Sequence, residues 1–397
     1  MQNIIFLYLT IIICLTLFHT NNNNNNTFLA QAATSSSEIS ALKAFKSSIK
    51  PSSVPPFSCL GSWNFTIDPC SFPRRTYFTC GLTCTPDSTH ITQITLDPAG
   101  YSGTLTPLLS QLTHLTTLDL SDNSFYGPIP SSLSSLHDLQ TLTLRSNSFS
   151  GSIPPSITAL LSLQSLDLSH NSLTGYLPKS LNSLTNLRRI DLSFNQLSGW
   201  VTKLPPNLLE LAIKANSLSG PLQKSSFEAL KRLEVLELSE NRLYGKLEPW
   251  LFQLPSLQQV DLANNSFTAI EISKFGGGSS SSNSNLVAVN LGFNRIQGYA
   301  PANLGAYPML SFLSIRYNLL RGTIPLEYGE SKSIKRLFLD GNYLTGKLPA
   351  GLVAAGAEVT GSLGDNCLVG CPASSQLCTT AQKPSSVCKQ AYSGKKP

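Results

Sequence analysis

The chain has 397 residues, of which 41% are hydrophobic and only 13% are charged, so it can bury a large core. Its formal net charge of +6 is modest for this length. That charge permits contact with an acidic polymer or peptide, but it argues against the strongly basic surface of a nucleic-acid-binding protein.

Residues 1–32 are predicted to be a signal peptide. The apolar run Phe6–Phe18 is too short to span a bilayer comfortably and suits the core of a secretion signal, and Ala30-Gln31-Ala32 provides a small-residue cleavage site. No Lys or Arg precedes the run and the Asn21–Asn26 tract is unusual, so an uncleaved anchor is the alternative. No second run of membrane length follows. The mature chain is therefore predicted to be secreted, with no transmembrane segment.

Residues 33–90 are predicted to form an N-terminal cap. The segment Ser37–Ile49 has the pattern of a short amphipathic helix with Ile39, Leu42 and Phe45 on one side. Together with Trp63, this helix is expected to cover the first coil of the repeats that follow.

Residues 91–363 repeat one motif, L-x-L-x-x-N-x-L-x-G-x-I-P, mostly at a spacing of 24 residues. A degenerate first copy begins at Ile94 and has Ala99 where asparagine is expected, so the motif predicts about eleven repeats. The motif asparagines are Asn123, Asn147, Asn171, Asn195, Asn216, Asn241, Asn265, Asn294, Asn318 and Asn342.

Each motif position has a physical role. In Leu118-Asp119-Leu120 the alternation places leucines inward and the intervening residue on an open face. Stacked copies should pair into one parallel sheet about 48 Å long, because neighbouring strands lie roughly 4.8 Å apart. The asparagine amide can satisfy buried backbone groups of its own and the adjacent coil. Segments such as Ser131–Leu139 should return along the convex side as short 3₁₀ or α turns. The fold class is therefore an α/β solenoid, a right-handed superhelix with its parallel sheet on the concave face.

Cysteines gather at the two ends of the chain, which predicts disulfide-stapled caps in an oxidising compartment. Residues 364–390 form the predicted C-terminal cap, followed by a basic tail over 391–397. Each group of four cysteines allows three pairings. A zinc site at Cys367 and Cys371 is the alternative, but no histidine lies nearby. The eight cysteines outside the signal are Cys59, Cys70, Cys80, Cys84, Cys367, Cys371, Cys378 and Cys388.

The last third of the concave face is the candidate ligand site. Its outward residues include aromatic and arginine side chains, the types enriched at binding hot spots. We hypothesise that Arg316 and Arg336 together hold a peptide terminus or acidic sugar while Phe312 and Phe338 pack beside it. The alternative is that the aromatic residues only fill space between coils. The candidate residues are Phe293, Phe312, Arg316, Tyr317, Arg336 and Phe338.

The sequence resembles plant extracellular leucine-rich-repeat proteins of the receptor-like type. The residue pattern of Leu144–Pro154 resembles the plant-specific repeat subtype, and Asp68-Pro69-Cys70 with Gly81-Leu82-Thr83-Cys84 resembles its N-terminal cap. The Gly-x-Ile-Pro signature fails at Gly199–Thr202 and after Phe267, so a second sheet on the flank is expected to be interrupted at both places.

The resemblance implies an extracellular recognition protein of the apoplast or cell wall. It would bind a peptide or protein partner such as a receptor-kinase ectodomain. An inhibitor of microbial polygalacturonase is the alternative, and so is a structural wall protein binding acidic pectin through Lys383, Lys389, Lys395 and Lys396. No histidine lies at a catalytic spacing and no phosphate-binding loop occurs, so neither catalysis nor a cofactor is expected.

Two further features of the sequence are predicted glycosylation sites and a Gly/Ser-rich insertion. Asn64 and Asn264 are the acceptors of predicted glycosylation sequons. The Gly/Ser stretch Gly276–Asn285 is a tolerated insertion or, alternatively, a hinge beside the ligand site.

Overall fold

The computed structural model describes residues 34–70, 81–273, 284–354, 358–372 and 375–393. The predicted signal peptide, Cys80, most of the insertion at Gly276–Asn285, and Lys395 and Lys396 lie outside these ranges.

The α-helices of the described residues are α1 (Ser36–Ser47), α2 (Cys59–Ser62), α3 (Lys224–Phe227), α4 (Pro249–Phe252), α5 (Leu326–Glu330) and α6 (Ser385–Tyr392). Their 3₁₀ turns are Pro51–Ser53, Pro107–Gln111, Ser131–Ser135, Pro155–Ala159, Leu181–Ser183, Ala302–Ala306, Ala350–Leu352 and Gln376–Cys378.

The strands of the same residues are β1 (Gly81–Cys84), β2 (Ile91–Thr95), β3 (Thr117–Asp119), β4 (Tyr126–Gly127), β5 (Thr141–Thr143), β6 (Ser148–Ser152), β7 (Ser165–Asp167), β8 (Ser172–Tyr176), β9 (Arg189–Asp191), β10 (Gln196–Gly199), β11 (Glu210–Ala212), β12 (Ser217–Gly220), β13 (Val235–Glu237), β14 (Arg242–Leu247), β15 (Gln259–Asp261), β16 (Ser266–Ile270), β17 (Ala288–Asn290), β18 (Gln297–Tyr299), β19 (Phe312–Ser314), β20 (Leu319–Thr323), β21 (Arg336–Phe338), β22 (Tyr343–Gly346), β23 (Thr360–Ser362) and β24 (Cys367–Leu368).

The main sheet forms the concave face and confirms the predicted solenoid. In the described part of the chain it has thirteen strands, in the order β1-β2-β3-β5-β7-β9-β11-β13-β15-β17-β19-β21-β23. β1 is antiparallel to β2, and the pairs that follow are parallel. The three-residue strands of this sheet, from β3 to β21, bury their middle residue: Leu118, Leu142 and Leu166 pair across β3, β5 and β7 and are at most 2% exposed. A buried leucine contributes about 1.5–3 kcal/mol, so stacking supplies the energy that a single coil lacks.

The motif asparagines form a ladder between coils, as predicted. Asn195 shows the pattern: its Oδ1 accepts a hydrogen bond from Leu173 N at 2.9 Å. Its Nδ2 donates to Leu168 O at 2.9 Å in the preceding coil and to Leu192 O at 3.1 Å in its own. Asn195 is 9% exposed, so water could not satisfy these backbone groups if the asparagine amide were absent.

A twelfth parallel strand, β23, extends the sheet beyond the eleven predicted repeats. Its coil ends in Asn366, whose Oδ1 accepts from Leu344 N and whose Nδ2 donates to Leu339 O. The predicted cap boundary at residue 364 therefore falls inside a coil. The pattern was hidden because Gly361 occupies the inward position, opposite Leu337, where other strands carry a larger apolar residue.

Flanking strands form two further sheets, one of seven strands (β4 to β16, even-numbered) and one of four (β18, β20, β22 and β24). The predicted break after Phe267 is confirmed, because β16 and β18 belong to different sheets. The predicted break at Gly199–Thr202 is wrong. Gly199 pairs with Leu218 of β12, and Val201, only 4% exposed, fills the position of the motif isoleucine.

The N-terminal helix α1 caps the first coil as expected, but its buried side differs in one residue. Leu42 and Phe45 are fully buried, while Ile39 is only half-buried and Glu38 is buried in its place. The Glu38 carboxylate accepts a hydrogen bond from Ile91 N at 3.1 Å, which ties the helix to β2.

Disulfides staple both caps. The structure pairs Cys70 with Cys84, Cys367 with Cys388 and Cys371 with Cys378, and Cys59 is also disulfide-bonded. At the C-terminal end, Leu377 is buried and its carbonyl accepts from Leu363 N at 2.8 Å, which closes the last coil. Helix α6 continues to Tyr392, past the predicted cap boundary at residue 390.

Candidate functional site

The candidate ligand residues lie on neighbouring strands of the main sheet. Phe312 of β19 stands opposite Arg336 of β21, and Ser314 stands opposite Phe338. These residues alternate with the buried Leu313 and Leu337, so their side chains lie on the opposite face of the sheet, where Ser314 is covered and only 2% exposed. The rings of Phe312 and Phe338 contact each other diagonally, with centroids 5.8 Å apart.

Arg316 is the centre of this cluster. Its guanidinium carbon lies 5.3 Å from the Phe293 ring, 5.2 Å from the Tyr317 ring and 5.8 Å from the Phe338 ring, which are cation–π distances. Nε lies 3.6 Å from Asp340 Oδ2, and neither Nε nor Asp340 Oδ1 has a hydrogen-bond partner within the described part of the chain. Burial raises the pKa of Asp340, although Arg316 opposes that shift. The Arg316 side chain is 36% exposed, so it can still meet a ligand.

Arg336 stacks over a different part of the cluster, with its guanidinium carbon 4.9 Å from the Phe312 ring. It pairs in register with Phe312, whereas Arg316 lies four residues further along the same coil. Arg316 lies beyond the end of β19 at Ser314. The hypothesis that both arginines hold one carboxylate stays a prediction.

Phe293 and Tyr317 also have a structural role between coils. Each precedes a ladder asparagine and adopts the left-handed conformation, with φ of 56° and 49°. Their rings stack at 4.7 Å, as those of His170 and Phe194 do at 4.2 Å elsewhere in the array. The ring of Tyr317 covers Gly341 of the next coil. Filling the space between coils and presenting a ring to a ligand are thus compatible for Phe293, which is 43% exposed.

A cavity of about 310 Å³ opens within the cluster. This volume lies at the lower end of the range for small-ligand sites. Four of the six candidate residues line it; Tyr317 and Arg336 do not. The lining residues are Ala263, Asn264, Asn290, Phe293, Phe312, Ser314, Arg316 and Phe338.

Sequence reasoning missed Asp340 and Asn264 as members of this site. Asp340 follows Arg316 by 24 residues, one repeat, so the register alone could have placed it beside the guanidinium. Asn264 was identified only as a glycosylation acceptor. Its place on the cavity wall depends on the left-handed turn, φ 52°, that precedes the ladder residue Asn265.

The middle of the concave face carries an acidic stripe. Asp167 lies opposite Asp191, and Glu237 lies opposite Asp261. Burial raises the pKa of Asp167 and of Glu237, and the neighbouring carboxylates add to both shifts. The face therefore changes along its length from anionic to aromatic and cationic.

The other basic residues of this face are already paired. Arg145 Nη2 lies 2.9 Å from Asp122 Oδ2, and Lys214 Nζ lies 3.2 Å from Glu240 Oε1. Arg145 occupies the same position relative to its ladder asparagine as Arg316 does, two residues before it.

Of the lysines proposed to contact pectin, Lys383 and Lys389 lie in the described part of the chain. Lys383 is mostly buried and lies 2.9 Å from Asp365 Oδ1, so it stabilises the C-terminal cap. Lys389 is exposed on α6. Among the described helices, none is long and apolar enough to cross a lipid bilayer.

Both predicted sequon asparagines are exposed. Asn64 lies in a turn in which its Oδ1 accepts from the Thr66 hydroxyl at 2.9 Å.

Comparison with known proteins identifies the repeats and the cap. Residues 101–339 match the family described as leucine-rich repeat region, and residues 35–74 match the leucine-rich repeat N-terminal domain. Receptor-like protein 7 of Arabidopsis thaliana is 33% identical over 121 residues, which is 30% of this chain and 12% of that relative. Receptor like protein 28 of the same plant is 36% identical over 108 residues, or 27% and 13%. The chain thus spans about an eighth of these curated relatives.

Solved structures with the same architecture include complexes of plant receptors. The PEPR1–AtPEP1 structure aligns with a TM-score of 0.67 and 30% identity over 84% of this chain and 49% of that one. The plant peptide hormone receptor RGFR1 in complex with RGF2 aligns with a TM-score of 0.61 and 30% identity, over 67% and 42%. The Arabidopsis receptor kinase HAESA with the peptide hormone IDA and the co-receptor SERK1 gives 0.51 and 31%, over 67% and 52%.

Proposed function

Because the chain belongs to the plant extracellular leucine-rich-repeat family of the receptor-like protein type, we propose that it is a secreted recognition protein of the apoplast or cell wall. It binds a peptide or protein partner through its concave face, in cell-surface signalling or defence. The observation that carries the proposal is the cluster around Arg316. There the exposed Phe293 ring, the half-buried Phe312 and Phe338 rings and a guanidinium line one cavity.

The charge pattern of the face supports a proposal for the partner's chemistry. The stripe from Asp167 to Asp261 is complementary to lysine or arginine side chains, and binding them would relieve its mutual repulsion. Arg316 is complementary to a carboxylate, which could be a peptide terminus, and the Phe312 and Phe338 rings to an apolar side chain beside it. The expected ligand is therefore an extended segment with basic residues at one end and an acidic, apolar anchor at the other.

The structural neighbours support a peptide ligand. The plant peptide hormone receptor RGFR1 is seen in complex with RGF2, and the receptor kinase HAESA with the peptide hormone IDA. The HAESA complex also contains the co-receptor SERK1. By analogy, a receptor-kinase ectodomain is the proposed protein partner, and it would bind a part of the surface that the peptide leaves uncovered.

The test is affinity capture from apoplastic fluid with the purified mature chain. Wild type and the R316A/R336A double variant are immobilised in parallel, with Arg145→Ala as the matched control. A peptide or receptor ectodomain retained by wild type and R145A but lost from the double variant supports the proposal. Retention of a polygalacturonase whose activity is blocked, or equal retention by all three proteins, overturns it.

A further inference from the structure

Asn264 joins a modification signal to the wall of the proposed ligand cavity. It is the acceptor of the sequon Asn264-Asn265-Ser266, and its exposed side chain lines the cavity together with Phe293 and Arg316. The next sequon residue, Asn265, is a buried ladder residue whose Nδ2 donates to Leu238 O at 3.0 Å. The ladder therefore fixes the backbone from which the Asn264 side chain projects.

We infer that an N-glycan on Asn264 covers this cavity, so that occupancy of the sequon controls access to Arg316 and Phe312. The control of ligand binding rests on the proposed function. The covering of the cavity does not, because it follows only from where the acceptor lies.

The small size of the cavity favours a glycan that covers its opening over one that points away from it. The cavity is only about 310 Å³, and an N-glycan is a bulky chain anchored by its first sugar at the cavity wall. Asn264 and Phe293 occupy equivalent left-handed positions in consecutive coils, so the exposed Phe293 ring is the first surface beside the attachment point. The apolar face of a sugar ring can lie against that ring while its hydroxyls remain in water.

The chain supplies its own control glycan. Asn64 is an exposed acceptor in the N-terminal cap and shares a surface pocket with Leu82 of β1. Asn264 follows β15, eight steps further along the main sheet, which is roughly 38 Å at the usual strand spacing. A glycan on Asn64 therefore cannot screen the cavity through the same contacts.

The experiment measures the accessibility of Arg316 with phenylglyoxal, a reagent that modifies guanidinium groups. The full chain is purified from plant cells as wild type, N264Q, S266A and N64Q, and peptide mass spectrometry reports sequon occupancy and the labelling rate at Arg316. Arg145 is the internal reference, because its side chain is 49% exposed and strand β5, which it follows, lies five steps from β15 in the main sheet. S266A abolishes the sequon but keeps the Asn264 side chain, so it separates loss of the glycan from loss of the amide.

We expect glycosylated wild type and N64Q to label Arg316 several-fold more slowly than N264Q and S266A, with equal rates at Arg145. Two results would overturn the inference: an Asn264 that carries no glycan in the purified protein, or a glycosylated Asn264 with an unchanged rate at Arg316. Because labelling involves no partner, the capture experiment can fail while this one succeeds, and the reverse.

Discussion

Replacing one ladder asparagine by its isostere tests how the coils are joined. In Asn318, Oδ1 accepts from Ile296 N at 2.9 Å, and Nδ2 donates to Leu291 O at 3.0 Å, Ile315 O at 3.1 Å and Arg316 O at 3.1 Å. Asn318→Asp keeps the size and the acceptor but turns the donor into an oxygen facing three carbonyls. The lost amide had two hydrogens to donate, so two buried acceptors are left unpaired. At about 1–3 kcal/mol for each, the cost is about 2–6 kcal/mol at neutral pH.

The substitution also predicts a pH dependence. A carboxyl buried against carbonyls has its pKa raised, because only the protonated form can donate. Its contribution to stability is therefore lost as pH rises through that raised pKa and is regained in acid, where N318D should recover part of its stability. Asn318→Ala has no proton to regain, so its deficit should stay constant.

The assay is chemical denaturation together with native-state hydrogen exchange at the Ile296 amide. Because each coil contacts only its neighbours, the loss of protection should be confined to the adjacent coils. Asn186→Asp is the control, since the Asn186 amide makes an exposed hydrogen bond to Leu161 O at 2.9 Å and should cost no more than about 0.5 kcal/mol. Equal stability and exchange for N318D and N186D would refute the ladder's role.

Three further predictions concern single contacts. Glu38→Ala should destabilise the N-terminal cap by about 1–3 kcal/mol, because the buried Ile91 amide loses its acceptor; E38Q should restore most of the loss, as measured by thermal melts. The D167N/E237Q variant should gain about 0.2–1 kcal/mol at pH 7, since both pKa values are raised and the charged carboxylates repel their neighbours. That gain should vanish below about pH 4, where the wild-type groups are protonated; a gain independent of pH would contradict the assignment. Tyr328→Phe should cost about 1 kcal/mol by removing a buried hydroxyl bond of 3.0 Å to a carbonyl of the preceding coil, and an unchanged denaturation midpoint would exclude that role.

The repeat spacing predicted the main sheet and the ladder because each coil must bury apolar side chains and pair its buried backbone groups. Alternating leucines and an asparagine about every 24 residues meet these two requirements, so both features are visible in the sequence. The twelfth coil was not, because Gly361 replaces the inward apolar residue and only Asn366 preserves the pattern. The flanking sheet at Gly199 was also mispredicted, since backbone pairing there does not require the Ile-Pro pair.

The candidate site was predicted by residue type but not by geometry. Aromatic and arginine residues on successive strands indicated a cluster, and the register brings Phe312 and Phe338 together. Which ring each guanidinium covers, Phe338 for Arg316 and Phe312 for Arg336, depends on position along the coil, which residue types alone do not convey. The contact of Arg316 with Asp340 depends in addition on side-chain rotamers, which only the packed structure fixes.

The most direct measurement is the affinity of the captured partner for wild type, R316A and R145A, obtained by titration. The two variants remove arginines at equivalent positions of different coils. We predict that R316A raises the dissociation constant about tenfold or more, a loss of about 1.4 kcal/mol in binding free energy. R145A should bind as wild type does. Equal affinities for R316A and R145A would contradict recognition at the Arg316 cluster.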